Sequence, residues 1–222
     1  PLFRATRLLG RDVLAEAAVE TPENAVYGSA GAAKLTRWPD LSLAGTWRRS
    51  GRYLRHVRLA GLARDLRAQG ASGAKDSAVG WAVGASTKVD LPFLDRRDNF
   101  KLNVHYGDGF GTYLKGGPRE GVFDEATGTL HPIGALAFYG GLQHFWCDRL
   151  RSTVTYGQVQ AYNPSLVPGD TLNRTHYFAA NIVWQPFESV TAGFEYLWGR
   201  RENEDGEAGD SSRFLVAFTY KF

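Results

Sequence analysis

Two segments near the end of the chain alternate apolar and other side chains without a slip, and this period-two pattern constrains the fold more than any other feature. Val190, Ala192, Phe194, Tyr196 and Trp198 fall on one side of an extended strand, as do Phe214, Val216, Phe218, Tyr220 and Phe222. The reason is geometric: successive strand side chains point to opposite faces. With 43% of residues hydrophobic, all these positions would be apolar by chance roughly two times in ten thousand. The other side of the last segment carries Arg213, Leu215, Ala217, Thr219 and Lys221. So many large apolar groups on one side must meet either a protein core or lipid.

The same period recurs toward the N-terminus. Phe178 to Trp184, Leu150 to Tyr156, Leu136 to Trp146, Leu102 to Tyr106, Val79 to Ala85, Val57 and Leu59, Leu41 to Trp47 and Val13 to Val19 each place apolar groups on one face, which predicts about ten strands. The connections alternate in length. Short ones fall at Ser50 to Arg52, Leu91 to Asp98, Cys147 to Arg149 and Pro186 to Ser189. Long polar ones fall at Thr21 to Pro39, Arg67 to Lys75, Asp108 to Pro132, Asn163 to Leu172 and Arg200 to Ser211. An up-and-down meander puts the two sets at opposite ends of the sheet, as transmembrane barrels do with short periplasmic turns and long extracellular loops. Trp47, Trp81, Trp146, Trp184, Trp198, Tyr196 and Tyr220 lie mostly near strand ends on the apolar side, where amphipathic rings settle at headgroup depth.

Composition narrows the class further. Aromatics make up 13% and charged residues 22% of the chain, which argues against disorder. There is no apolar run long enough for a transmembrane helix, yet a mean hydropathy of -0.31 is compatible with a barrel, whose strands show lipid only alternate side chains. The net charge of +3 is small for a nucleic-acid binder of this size. The lone Cys147 has no partner for a disulfide and no ligand spacing for a metal. No cofactor is expected. Because the sequence starts at Pro1 and holds no methionine, we read it as a processed chain or a fragment.

Specific segments carry a family likeness. Ala180-Asn181-Ile182-Val183-Trp184-Gln185-Pro186, then Gly193-Phe194-Glu195-Tyr196-Leu197-Trp198-Gly199-Arg200-Arg201-Glu202-Asn203, resemble the closing strands of Gram-negative general porins. Within these they are most similar to the DcaP-type group, as are Gly107 to Tyr113 and His144-Phe145-Trp146 with Leu150-Arg151-Ser152. The terminal Tyr220-x-Phe222 resembles the signal that barrel-assembly machinery reads on its clients. The resemblance covers most of Leu41 to Phe222 and only loosely the stretch before it. It implies a bacterial outer-membrane location, a homotrimer of sixteen-stranded channels contacting lipid and lipopolysaccharide, and uptake of small anionic solutes such as dicarboxylates. Sixteen strands would need on the order of 350 residues. The expected fold is therefore all-β, an antiparallel up-and-down transmembrane β-barrel with about ten of sixteen strands present, residues 1–222 being the C-terminal portion of one larger barrel domain. An outer-membrane β-barrel hydrolase, or a self-contained small barrel with a structural or adhesive role, is the alternative. The constriction loop of such porins would then belong to the missing N-terminal part.

If the apolar face meets lipid, the other lines a channel, and its charges can be read. Arg48, Arg58, Arg64, Lys88, Lys101, Arg151, Arg213 and Lys221 face inward against Glu16, Glu20 and Glu195, with His56 and His105 able to add charge as pH falls. Bases exceed acids, and a low-dielectric wall of that sign concentrates anions. Arg58, Arg64, Lys101, His56 and His105 are the expected contacts for a passing carboxylate, with Arg48, Arg213 and Glu195 lining the path.

Other motifs carry less. Gly107-Asp108-Gly109-Phe110-Gly111 opens no helix and is not expected to bind nucleotide. The acidic stretch Glu202 to Asp210 lacks EF-hand spacing and is expected to be a solvated extracellular loop that divalent ions bridge to lipopolysaccharide. No enzyme is expected. A barrel-wall hydrolase would need a nucleophile, a histidine and an orienting acid, and the nearest pair, His144 with Ser152, shows no third partner in the sequence.

Overall fold

The computed structural model describes residues 2–29, 37–48, 54–95 and 97–222. Its strands are, in chain order, β1 (Phe3–Leu9), β2 (Val13–Glu20), β3 (Val26–Tyr27), β4 (Asp40–Arg48), β5 (Leu54–Gln69), β6 (Lys75–Asp90), β7 (Asn99–Asp108), β8 (Gly121–Asp124), β9 (Thr129–Pro132), β10 (Gly134–Cys147), β11 (Leu150–Tyr162), β12 (Leu172–Phe187), β13 (Val190–Asn203) and β14 (Ala208–Tyr220). Eleven of them form one antiparallel meander in the order β1-β2-β4-β5-β6-β7-β10-β11-β12-β13-β14. The other three, β3, β8 and β9, make a separate small sheet. Among the described residues the sole helical element is a 3-10 turn over Gly111–Tyr113.

Register sorts the side chains into two faces. One row runs Ala17, Leu43, Gly61, Val83, Tyr106 and Leu136 through consecutive strands, and another runs Ile182, Phe194 and Val216. On this apolar face Val216 is 80% and Phe218 71% exposed, so no second protein layer covers it there. A soluble sandwich would bury those groups. Near one edge of the face Trp81 meets Tyr106 edge-on and Tyr106 meets Tyr162 the same way, at centroid distances of 5.8 and 6.4 Å. Trp47, Trp146, Trp184 and Tyr220 mark the opposite edge, beside the short turns.

All ten strands expected from periodicity lie in the main sheet, and the structure adds β1. Its apolar side reads Phe3, Ala5, Arg7 and Leu9, and Arg7 breaks the alternation that would have revealed it. Two long connections are shorter than expected. β5 and β6 stay paired to Gln69↔Lys75 before a turn closed by Gly70 N–H to Ala74 O at 2.9 Å, and β13 and β14 stay paired to Glu202↔Ala208. On the side that is apolar lower down, these extensions carry Asp65, Arg67 and Ser77 or Arg200, Glu202 and Asp210, so the apolar period does not continue into them. The expected turn at Ser50 to Arg52 lies outside the described residues.

The stretch from Asp108 to Pro132, expected to be a long polar connection, is folded instead. β8 and β9 pair antiparallel and β3 joins β8 in parallel. This small sheet packs on the polar face of the β5–β6 extension, where Val26, Leu66, Ala68, Phe123 and Leu130 make a buried cluster with Ala74 and Ala78 against it. Leu66 and Ala68 face the same side as Arg64 and Arg58, which is why a face that is polar lower down turns apolar here. Glu125 accepts from Ala71 N–H at 2.6 Å, and Asp76 accepts from Leu130 N–H at 2.8 Å, pinning the tip.

Candidate functional site

The polar face holds a cross-strand row of bases. Arg48 lies opposite His56, His56 opposite Lys88, and Lys88 opposite Lys101. With strands about 4.8 Å apart, the row spans roughly 14 Å. Like charges placed directly opposite destabilise a sheet, and Lys88 and Lys101, about 5 Å apart, repel by about 1 to 3 kcal/mol between the dielectric of water and that of a protein surface. The acids flanking the row do not relieve it. Glu16 is engaged by Arg58, which also donates to Thr46 Oγ1 at 3.1 Å, and Asp90 is engaged by Arg55. Among the described residues none of Arg48, His56, Lys88 or Lys101 has an ion pair.

The remaining expected residues divide. His105 shares this face and lies over Gly84, where a Cβ would come within 2.3 Å of its Nδ1. Only glycine leaves room for the ring. Glu195 takes a hydrogen bond from Asn181 Nδ2 at 3.3 Å, and Arg213 stands opposite Leu197, both on the polar face but strands away from the row. Arg58 is half committed to Glu16, so Lys88 and Arg48 are the freer bases. Lys88 was not among the expected contacts, because strand register is not written in a sequence.

Arg64 corrects the expectation that it lines the channel. Its side chain is fully buried, with Nε 2.9 Å from Asp40 Oδ2 and Nη1 3.5 Å from Glu120 Oε1. It also donates to Gly109 O at 3.0 Å, Thr112 Oγ1 at 3.1 Å and Glu23 O at 2.5 Å. Glu120 in turn accepts from Ala25 N–H at 2.6 Å and Thr112 N–H at 2.8 Å. Tyr113 donates its hydroxyl to Asp40 Oδ2 at 3.0 Å while its ring lies 5.1 Å from the Arg64 guanidinium. Burial, then the neighbouring Asp40 and Glu20 charges, push the Tyr113 phenol well above its usual range, so it stays a donor. The cluster fastens the folded segment to the wall. Asp40 and Glu120 carried no signal in the sequence, and Tyr113 none for this contact beyond its place in the family likeness, since the contact joins residues far apart in the chain.

No protein-family model matches the sequence, and no curated protein does. A structural likeness exists to the outer membrane channel DcaP of Acinetobacter baumannii, with a TM-score of 0.86 at 20% identity over 99% of this chain. The chain spans 61% of that channel's length. The DcaP-type likeness seen in the closing strands thus holds for the whole backbone. The chain shares the fold of that channel over nearly its whole length, as an antiparallel up-and-down sheet of eleven strands.

Proposed function

We propose that this chain forms part of the wall of an outer-membrane diffusion channel that favours small anionic solutes such as dicarboxylates. The observation that carries the reading is the row Arg48, His56, Lys88 and Lys101, four bases side by side with no acid of their own. Such a row concentrates anions and binds each weakly enough to let it leave. Arg58, His105, Arg213 and Glu195 line the same path. The likeness to the DcaP channel supports a porin-like pore in the bacterial outer membrane, and the exposed aromatic face fits lipid and lipopolysaccharide around it. The protein acts as a passive channel and needs no cofactor. Its barrel is one domain completed by further strands and assembles as a homotrimer, with Phe222 presented to the assembly machinery. The segment folded on β5 and β6 narrows the path on the long-loop side.

Planar-bilayer recordings test this. Neutralising Lys88 and Lys101 together, as K88Q/K101Q, moves the reversal potential in a salt gradient toward cation preference. An unchanged reversal potential removes the row from the mechanism.

A further inference from the structure

His144 and Ser152 are direct cross-strand partners on the apolar face, and the structure supplies the third group that the sequence did not show. Asp98, 0% exposed, places its Oδ2 2.5 Å from His144 Nδ1 and takes Phe145 N–H on Oδ1 at 2.8 Å. Asp98 ends the turn before β7 and immediately precedes Asn99, whose partner is Gln143, so the acid at the foot of β7 stands beside the imidazole of β10 and the hydroxyl of β11, in the order that nucleophilic catalysis uses. His144 Nε2 takes no hydrogen bond among the described residues, and the partner of Ser152 Oγ is Trp146 rather than His144. Directly opposed residues of an antiparallel pair have Cβ atoms about 4.5 to 5.5 Å apart, a gap that side-chain rotation closes when substrate enters. Trp146 Nε1–H points at Ser152 Oγ at 3.0 Å, and the indole stands edge-on to the imidazole with centroids 4.5 Å apart.

We propose that Asp98, His144 and Ser152 form an esterase site facing the membrane, with the carboxylic ester of a membrane lipid as substrate. The depth fits, since the row sits in the aromatic belt of Trp146 and Trp184 beside the short turns, and such belts lie where polar headgroups meet acyl chains. Asp98 holds the imidazole with Nδ1 protonated. Ser152 Oγ attacks the ester carbonyl and passes its proton to His144 Nε2, while the carbonyl electrons move onto oxygen. Trp146 Nε1–H, already aimed at Oγ, turns to that oxyanion. Collapse breaks the ester bond, and the leaving alcohol takes the proton from His144. Water, its proton taken by His144, then attacks the acyl-serine and releases a free fatty acid, and the proton returns to Ser152 Oγ. The substrate class rests on the membrane reading of the apolar face, whereas the reactivity of the serine does not.

A fluorophosphonate, which modifies only activated serines by losing fluoride, tests the site on the detergent-solubilised protein without need of a conducting pore. The expected result is labelling that maps by mass to Ser152, disappears in Ser152→Ala and falls about tenfold or more in His144→Gln, as loss of the general base requires. Fatty-acid release from diacylphospholipid micelles follows the same order of variants. Labelling of the wild type no greater than that of Ser152→Ala, or labelling that His144→Gln leaves unchanged, overturns the proposal. Labelling without fatty-acid release overturns the lipid as substrate and leaves the channel reading untouched.

Discussion

At the scale of single residues, the same residue type plays opposite parts according to what lies across from it. Lys88 and Lys101 face one another with no acid between them, while Arg64 is wholly enclosed by Asp40, Glu120 and backbone carbonyls. Removing the cation from a buried cluster strands its acids, which costs about 3 to 5 kcal/mol. Arg64→Met is therefore expected to lower the unfolding free energy by that amount in urea titration and to open residues 109–133 to protease cleavage in the folded protein. Resistance equal to wild type would mean that the cluster does not hold the segment. Position along the strand gave no warning of this difference. Arg58 and Arg64 lie on the same face of β5, and a sequence reading treats them alike. The hydrophobic anchor formed by Leu66 and Phe123 above Arg64 separates them.

At the scale of the element, alternation identified each long strand of the meander, and it failed where both faces of a strand meet water or protein. β14 shows the rule. Phe214, Val216, Phe218 and Tyr220 are all more than half exposed, at 65%, 80%, 71% and 60%. Each stays on that face because pairing with β13 fixes Phe194↔Val216 and Ala192↔Phe218, and a slip of one residue would turn the whole set inward. A charge on this face is expensive. Phe218→Arg is expected to cost about 2 to 4 kcal/mol where the position lies mid-bilayer, read by urea titration in lipid vesicles, and no loss would show that Phe218 does not face lipid. β1 and the ends of β5, β6, β13 and β14 escaped the reading for the complementary reason. Arg7 interrupts the apolar side of β1, and the extensions beyond the apolar band carry Asp65, Arg67 and Ser77 or Arg200, Glu202 and Asp210, which cross-strand pairing keeps extended without an apolar period.

At the scale of the whole molecule, the turns give an orientation. The connections at Leu91–Asp98, Asp148–Arg149 and Glu188–Ser189 share one end of the sheet with Lys221, whose N–H bonds Ser189 O at 2.8 Å. The folded segment and the extended hairpins occupy the other end. In the proposed membrane setting the first end is periplasmic, and Cys147, exposed beside the turn after β10, reports on it. A maleimide on a long polymer chain should leave Cys147 unlabelled in intact cells and label it once the outer membrane is permeabilised; labelling of intact cells would reverse the orientation. The same end carries Asp98, His144 and Ser152, so a serine-directed probe and a thiol-directed one sample the same side of the sheet.

The sequence by itself determined the all-β class, the up-and-down order of the long strands, the face each one turns to an apolar medium and the excess of bases on the other. These follow from local rules, because a strand's period is two and a hairpin's neighbours are next in the chain. Tertiary structure alone decided which bases stand side by side, which one is buried and what the Asp108 to Pro132 segment does. Register sets the first, bringing Arg48, His56, Lys88 and Lys101 into one row across four strands. Contacts between distant parts of the chain set the others: Arg64 reaches Asp40 and Glu120, Val26 pairs with Gly121, and Asp98 reaches His144. No local period encodes such meetings, since the partners lie far apart in the chain and meet only once the sheet has formed.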